Sequence, residues 1–211
     1  MKTKLCVLAA TLLLMAVPSF GQVASRPCVQ GTLASYIALG PVGCSLDGVT
    51  FANFAYASTS TAGISPNQII VNPVPSGPVI DPPLFRGLNF TAPWRVASGA
   101  SEQSVISYTA TPFAPVAFPS SGLLTLTLGN STVSGIIGSA TVTETTNVGT
   151  LSVFDRCADA CSLKKTDQLK FSPITVLHVT NTVALSGGTG GASLSSFAAD
   201  YNLCPACVEP Q

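Results

Sequence analysis

The chain reads as all-β, an antiparallel β-sandwich of jelly-roll or immunoglobulin-like type with one short helix near its start, and two observations carry that reading. The first is the stretch Ser139 to Ser186, where hydrophobicity alternates with period two. Ala140 and Val142 alternate with Thr141 and Thr143, then Leu151 and Val153 with Thr150 and Ser152, across a break at Asn147-Val148-Gly149 that predicts a hairpin. Further on, Leu177, Val179, Val183 and Leu185 share one parity, with Asn181 the exception. His178, Thr180, Thr182 and Ser186 hold the other. A slip of one residue would turn those four apolar side chains into water, so the register is firmly specified. The second observation is the turn density along the rest of the chain, which separates about eight to ten short alternating runs.

The elements follow in order. Lys2 and Lys4 precede an apolar run, Leu5 to Val17, that is too short to span a bilayer. Pro18 breaks it, and Ser19 and Gly21 supply small residues before a cut at Gln22, so residues 1–21 are expected to be a signal peptide. Residues 22–211 then form one domain, a common size for a single sandwich. Thr32 caps a helix of at most two turns running toward Leu39, with Leu33, Tyr36 and Ile37 to pack and Gly40 to end it. Val49 to Ala57 is a strand whose parity changes between Phe51 and Phe54, which predicts a bulge near Ala52-Asn53 or burial on both faces. Gln68 to Val71 is a short strand that enters a proline-rich loop, 72–83, extended or at an edge because proline cannot donate to a ladder.

Leu88 to Trp94 and Ser104 to Thr111 are the next strands, joined by a turn at Ser98-Gly99, and Leu123 to Leu128 follows. Cys157 and Cys161 fall in a polar connection before Leu169 and Phe171 return to strand. Gly187 to Gly191 reads as a hairpin loop, which favours a strand over a helix for Leu194 to Tyr201.

Charged residues make up 9% of the chain and hydrophobic ones 46%. Without Lys2 and Lys4, seven basic side chains stand against nine acidic ones, so nothing attracts polyanions and no nucleic-acid partner is expected. The cluster Lys164, Lys165 and Lys170 reads as a solvated hairpin end. Outside the leader and its Cys6, six cysteines in an exported chain read as disulfides. Their couples in sequence make Cys28 with Cys44, Cys157 with Cys161 and Cys204 with Cys207 the simplest of the possible pairings.

The segments TLASYIALGPVGCSLDGVTFANFAY, GLNFTAPW, SVISYT, ATVTET, LSVFD and KFSPITVLHVTNTVALSGGTGGASLSSF, spanning Thr32 to Phe197, resemble the ectodomain of exported bacterial proteins of the PEP-CTERM sorting class. The resemblance implies export, a diderm cell envelope and a link to surface or exopolysaccharide biology. It implies no activity and no catalytic residues. In that group a Pro-Glu-Pro motif, a membrane-spanning helix and a basic cluster follow the domain. The sequence from Cys204 to Gln211 departs from that pattern, so anchoring is not carried over.

No catalytic constellation assembles from the residues. His178 lies on the polar parity of a strand and reads as a surface histidine, and neither a Gly-x-Ser-x-Gly elbow nor a phosphate loop is present. Cys204-Pro205-Ala206-Cys207 has redox spacing but no following helix to lower a thiol pKa, and reads as a structural disulfide. A four-thiolate zinc site with Cys157 and Cys161 is disfavoured by export. Asp155 and Asp159 read as hairpin polarity rather than a cation site. Trp94 with Tyr56 or Tyr108 has the makings of a sugar-stacking platform, but strand aromatics read first as core. The expectation is a protein without cofactor or metal, secreted, at the cell surface or periplasmic. It is expected to be a non-enzymatic structural or interaction module whose partners are extracellular polysaccharide or envelope proteins. A carbohydrate-binding module and a secreted hydrolase are the alternatives.

Overall fold

The computed structural model describes residues 26–59, 63–75, 85–112, 121–172 and 174–204. The expected signal peptide, most of the proline-rich loop and Cys207 lie outside them. The described chain forms β1 (Arg26–Pro27), β2 (Gly31–Thr32), α1 (Leu33–Ile37), β3 (Cys44–Leu46), β4 (Val49–Ser58), β5 (Ile70–Val74), β6 (Phe85–Val96) and β7 (Ser101–Pro112). It continues with β8 (Ser121–Leu128), β9 (Ser131–Ser134), β10 (Ile137–Thr146), β11 (Gly149–Ala158), β12 (Ala160–Lys164), β13 (Thr166–Phe171), β14 (Leu177–Ser186) and β15 (Gly191–Cys204). Eight of these strands reach eight residues or more and correspond to the expected eight to ten. The remainder are pieces of two to six residues, too short for alternation to announce.

Two sheets result. The front sheet runs β1-β3-β4-β7-β14-β10-β11-β12 and the back sheet β13-β8-β15-β6-β5-β2, with β9 also pairing β15. Every pairing is antiparallel except β1 with β3. The two period-two segments that dominate the sequence lie at the centre of the front sheet. β10 and β11 form the expected hairpin, and β14 is paired along its length by β10 on one side and β7 on the other. Leu177, Val179, Val183 and Leu185 are all buried, as their shared parity requires.

The parity change in β4 is resolved by a bulge. Asn53 adopts φ 55° and the register with β7 shifts between Ala52 and Ala55, so that Val49, Phe51, Phe54 and Tyr56 share the inward face. The helix is shorter than its sequence window. Thr32 Oγ1 accepts from Ser35 N at 3.2 Å, Leu33 and Tyr36 are buried, and Gly40 at φ 55° ends the turn. β5 extends through Pro73, past the boundary set by the prolines, with that residue opposite Leu88 of β6.

Between the sheets the rings of Trp94, Phe197, Phe90, Tyr108, Phe54 and Tyr36 follow one another at centroid separations of 5.0–6.1 Å. They join β6 and β15 of the back sheet to β7, β4 and α1 of the front, so one core spans both sheets.

Two expectations are corrected. The Gly187 to Gly191 segment is not a hairpin loop. The returning strand, β15, is real, but it lies in the back sheet, because β7 and β10 already occupy both edges of β14. The connection therefore arches from one sheet to the other beside the β6 to β7 arch. Gly99 N donates to Gly188 O at 2.7 Å, Gly187 N to Ala100 O at 2.8 Å and Thr189 N to Ile137 O at 3.0 Å. Nor do Cys157 and Cys161 sit in a polar connection: they are direct cross-strand partners in a second hairpin, β11 to β12, which turns at Asp159 with φ 62°.

Two disulfides form as expected, Cys28 to Cys44 and Cys157 to Cys161. The expected Cys204 to Cys207 couple lies outside the described residues. The first bond ties β1 to β3, across the segment that carries α1, and closes a sequence separation of 16 residues. Replacing both of its cysteines with alanine is expected to lower stability by on the order of 3 kcal/mol. The same change at Cys157 and Cys161, four residues apart, should move the melting temperature far less, since so short a loop restrains the unfolded chain little. Thermal melts of the two variants check this.

Candidate functional site

Among the described residues, two regions stand out for their polar side chains: a polar centre between the sheets and the outward face of the front sheet. The polar centre begins on β10, where Ala140, Val142 and Glu144 all point inward and Glu144 is 1% exposed. Directly across on β14 stands Asn181, fully buried, and the same cross-strand row continues to Leu151 on one side and Ile106 and Tyr56 on the other. One diagonal step away, the Tyr108 hydroxyl hydrogen-bonds the hydroxyl of Tyr201, which comes from the back sheet.

Asn181 lies near enough to Glu144 and Tyr108 to favour their charged forms, yet neither of its amide atoms reaches bonding geometry, and Glu144 Oε2 has no partner. Burial is therefore the dominant influence on this carboxyl. It pushes the Glu144 pKa up to about 8, with Asp200 adding in the same direction. Asp200 is itself raised to about 6 by burial. Tyr108 and Tyr201 are raised well above the ordinary tyrosine range, chiefly by burial.

A second buried acid, Glu102, sits farther along β7. Its Oε1 accepts from Ile64 N and Ser104 Oγ, both at 3.3 Å, and Ser104 Oγ lies 3.0 Å from the Tyr56 hydroxyl, which bonds Ile64 O. This network closes on itself beneath the loop at Ile64.

The outward face of the front sheet has a different character. Thr150, Thr145, Thr180 and Ser107 are cross-strand neighbours on β11, β10, β14 and β7, and one step along each strand Ser152, Thr143, Thr182 and Val105 repeat the row. Their chain neighbours Leu151, Val142, Glu144, Val183 and Ile106 are buried, which fixes these side chains on the solvent side.

The residues singled out from sequence do not converge. His178 is exposed at one end of β14, its backbone N–H donating to Asn147 Oδ1 at 3.0 Å. Trp94 and Tyr108 are core residues at 1% and 2% exposure, and the Tyr56 hydroxyl is bonded inward, so the stacking platform does not exist at the surface. Asp155 accepts from Ser131 Oγ at 2.9 Å while Asp159 occupies the turn of the second hairpin, and the two do not form a cation site. Lys164 pairs with Asp167 at 2.7 Å. Burial pulls the Asp167 carboxyl upward, but the bonds from Lys164 and from Ser152 N–H outweigh it and leave the pKa below the ordinary aspartate value. The Asp167 bond to Ser152 N, at 2.8 Å, also blunts the open edge of β11 beyond the reach of β12.

Among the described residues no three His, Cys, Asp or Glu side chains come together as a metal site, and no helix is long and apolar enough to cross a membrane. A hollow of about 180 Å³ beside the Cys28 to Cys44 bond, lined in part by Arg26, Ser35 and Tyr36, is smaller than the roughly 300–1,000 Å³ of ligand pockets.

The polar centre was missed in the sequence although its signal was present. Glu144 and Asn181 are each a polar residue at an inward position of an otherwise apolar strand. Parity alone marks both, but their meeting depends on strand register.

No protein-family model matches the chain, and no curated protein matches it. Among solved structures it is similar to the enzymatically active domain of bacteriophage CBA120 tailspike protein 4, at 9% identity and a TM-score of 0.30, over 72% of this chain and 20% of that one. It is also similar to the CBM22-1-GH10 modules of Clostridium thermocellum endo-1,4-beta-D-xylanase 10B complexed with xylohexaose, at 8% identity and 0.26, over 89% and 30%. The Agl-KA catalytic domain matches at 12% identity and 0.23, over 93% and 31%. The chain spans from a fifth to under a third of the length of these structures, and at such scores the likenesses bear on neither its chemistry nor its partners.

Proposed function

We propose that this chain is an exported, non-enzymatic structural or interaction module of the cell envelope or extracellular matrix, akin to the ectodomains of the PEP-CTERM sorting class. The observation that carries the reading is the dispersal of its ionisable groups. Glu102 is shut inside a closed network and Glu144 is buried apart from it, Asp167 is spent on Lys164 and Ser152, and His178 is exposed on the outer face of β14. Acid–base or nucleophilic catalysis needs such groups to meet around a substrate. Two disulfides suit an oxidising compartment, in keeping with a secreted, surface or periplasmic location.

Within the sandwich class, the reading is a jelly roll. Its support is the nesting of pairs, β6 with β15, β7 with β14, β8 with β13 and β10 with β11, which alternate between back and front sheets as a long hairpin rolled on itself would. No nucleic acid is expected as a partner, since the basic side chains are few and scattered.

The test is a screen of the secreted protein against generic esters and glycosides, together with His178→Ala and Glu144→Gln. No turnover above buffer is the expected result. Turnover that either substitution abolishes would establish the hydrolase alternative.

A further inference from the structure

We infer that the outward hydroxyl grid of the front sheet, on β11, β10, β14 and β7, is the contact surface of this module and that its partner is an uncharged, extended polysaccharide. The inference rests on the reading of the chain as a non-catalytic interaction module, and it adds the surface and the chemistry of what is bound.

Three properties of the face point this way. Its hydroxyls are uncommitted. Among the described residues, Thr143, Thr145, Thr150, Thr180, Thr182, Ser107 and Ser152 make no side-chain hydrogen bond within the protein. Several hydroxyls elsewhere are engaged: Ser104 with Glu102, Ser131 with Asp155, Thr146 with Gly149, and Thr189 with Ile136. Each free hydroxyl is both a donor and an acceptor, the same pair of roles a sugar hydroxyl offers.

The centre of the face also carries no Asp, Glu, Lys or Arg. The outward positions of β4, β7, β14 and β10 hold no Asp, Glu, Lys or Arg, because the only ionisable acids on those strands, Glu102 and Glu144, point inward. Charge begins on β11 and at the sheet's rim, with Arg156, Lys164 and the Asp167 carboxylate that accepts from Ser152 N. A face kept merely for solubility is usually laced with Lys and Glu. Here the central strands, β10, β14 and β7, offer no Lys or Arg to an acidic polymer and no outward Asp or Glu to be desolvated by a neutral one, which favours an uncharged, hydroxyl-rich partner.

Its geometry is fixed and periodic. The rows run across strands ~4.8 Å apart and repeat ~6.8 Å along each strand, so an extended chain of sugar units laid along the Thr150, Thr145, Thr180 and Ser107 row meets a hydroxyl at every strand. β14 is paired on both edges, and threonine is stiff at χ1, so little ordering is demanded on binding. Phe154, beside Thr141 and under the Arg156 guanidinium at 4.2 Å, gives the grid an apolar flank.

The experiment is depletion of the secreted chain by insoluble cellulose, curdlan and xylan, with alginate and polygalacturonate gels as acidic counterparts. Thr180→Val/Thr182→Val removes two hydroxyls and keeps the branched shape, Thr182→Glu adds a charge, and Thr127→Val on the outward side of the back sheet is the control. Retention of the wild type by a neutral polymer is expected, unchanged by the control and weakened about tenfold or more by either front-sheet variant. The double valine variant acts through two lost hydrogen bonds, and Thr182→Glu through a lost hydroxyl and a desolvated charge. Far-ultraviolet dichroism of each variant should match the wild type. Equal retention of the front-sheet variants, preference for the acidic gels, or no retention on any neutral polymer would each overturn the inference. None of these outcomes touches the module reading, which the turnover screen tests separately.

Discussion

Glu144→Gln is expected to make the protein more stable at alkaline pH and to flatten its pH dependence. In the folded state burial holds the Glu144 carboxyl protonated up to about pH 8, while in the unfolded chain it ionises near its ordinary value of 4.5. The folded state therefore binds a proton that the unfolded state has lost across that window. The sign follows: Glu144 leaves stability intact below about pH 4.5, lowers it steadily as pH rises to about 8, and changes it no further above. At roughly 1.4 kcal/mol per pH unit the loss reaches about 5 kcal/mol. Asp200, also raised, adds to it in the same direction at lower pH.

The dependence is thus opposite to ordinary acid denaturation, in which native carboxylates lose their partners. The amide introduced by the substitution cannot ionise, so urea unfolding at pH 5 and pH 8.5 should show a loss of several kcal/mol for the wild type and, for the variant, only the smaller loss that Asp200 brings. A wild-type stability that rises between those pH values, or a variant that keeps the wild-type slope, would show that Glu144 is charged within the fold.

Gly188→Ala is expected to be among the most damaging single substitutions in the chain, at roughly 4 kcal/mol or more. Gly188 has φ 49°, and a Cβ there would stand 1.0 Å from the Ile137 carbonyl oxygen. That oxygen accepts from Thr189 N, so the backbone cannot give way without parting the β14 to β15 arch from the start of β10. Gly99→Ala is the comparison. Its φ is 73°, yet a Cβ would have nothing within 4 Å, and only the left-handed backbone penalty of about 1–2 kcal/mol applies. If the two variants melt together, the arches are not locked through this carbonyl.

Alternation by itself determined the long strands and which of their side chains are core. It placed β10, β11, β14 and the direction of β15, and it located the β4 bulge, because period two is a local consequence of the pleat. It also identified Trp94 and Tyr108 as core, since aromatic side chains on an inward parity are drawn from water. The two described disulfides were legible from sequence spacing alone.

Only the tertiary structure decided which sheet each strand joins. A glycine-rich loop between two strands looks the same whether the second strand pairs with the first or arches over to the opposite sheet. For Gly187 to Gly191 the outcome turned on both edges of β14 being occupied by β7 and β10, from distant parts of the chain. The same limit hid the polar centre and the hydroxyl grid. Glu144 and Asn181 lie far apart in the chain, and Thr143, Thr182 and Ser152 share no pattern of sequence that would join them. Inter-strand register, a sum of long-range hydrogen bonds and burial across the whole sheet, is what sets them side by side.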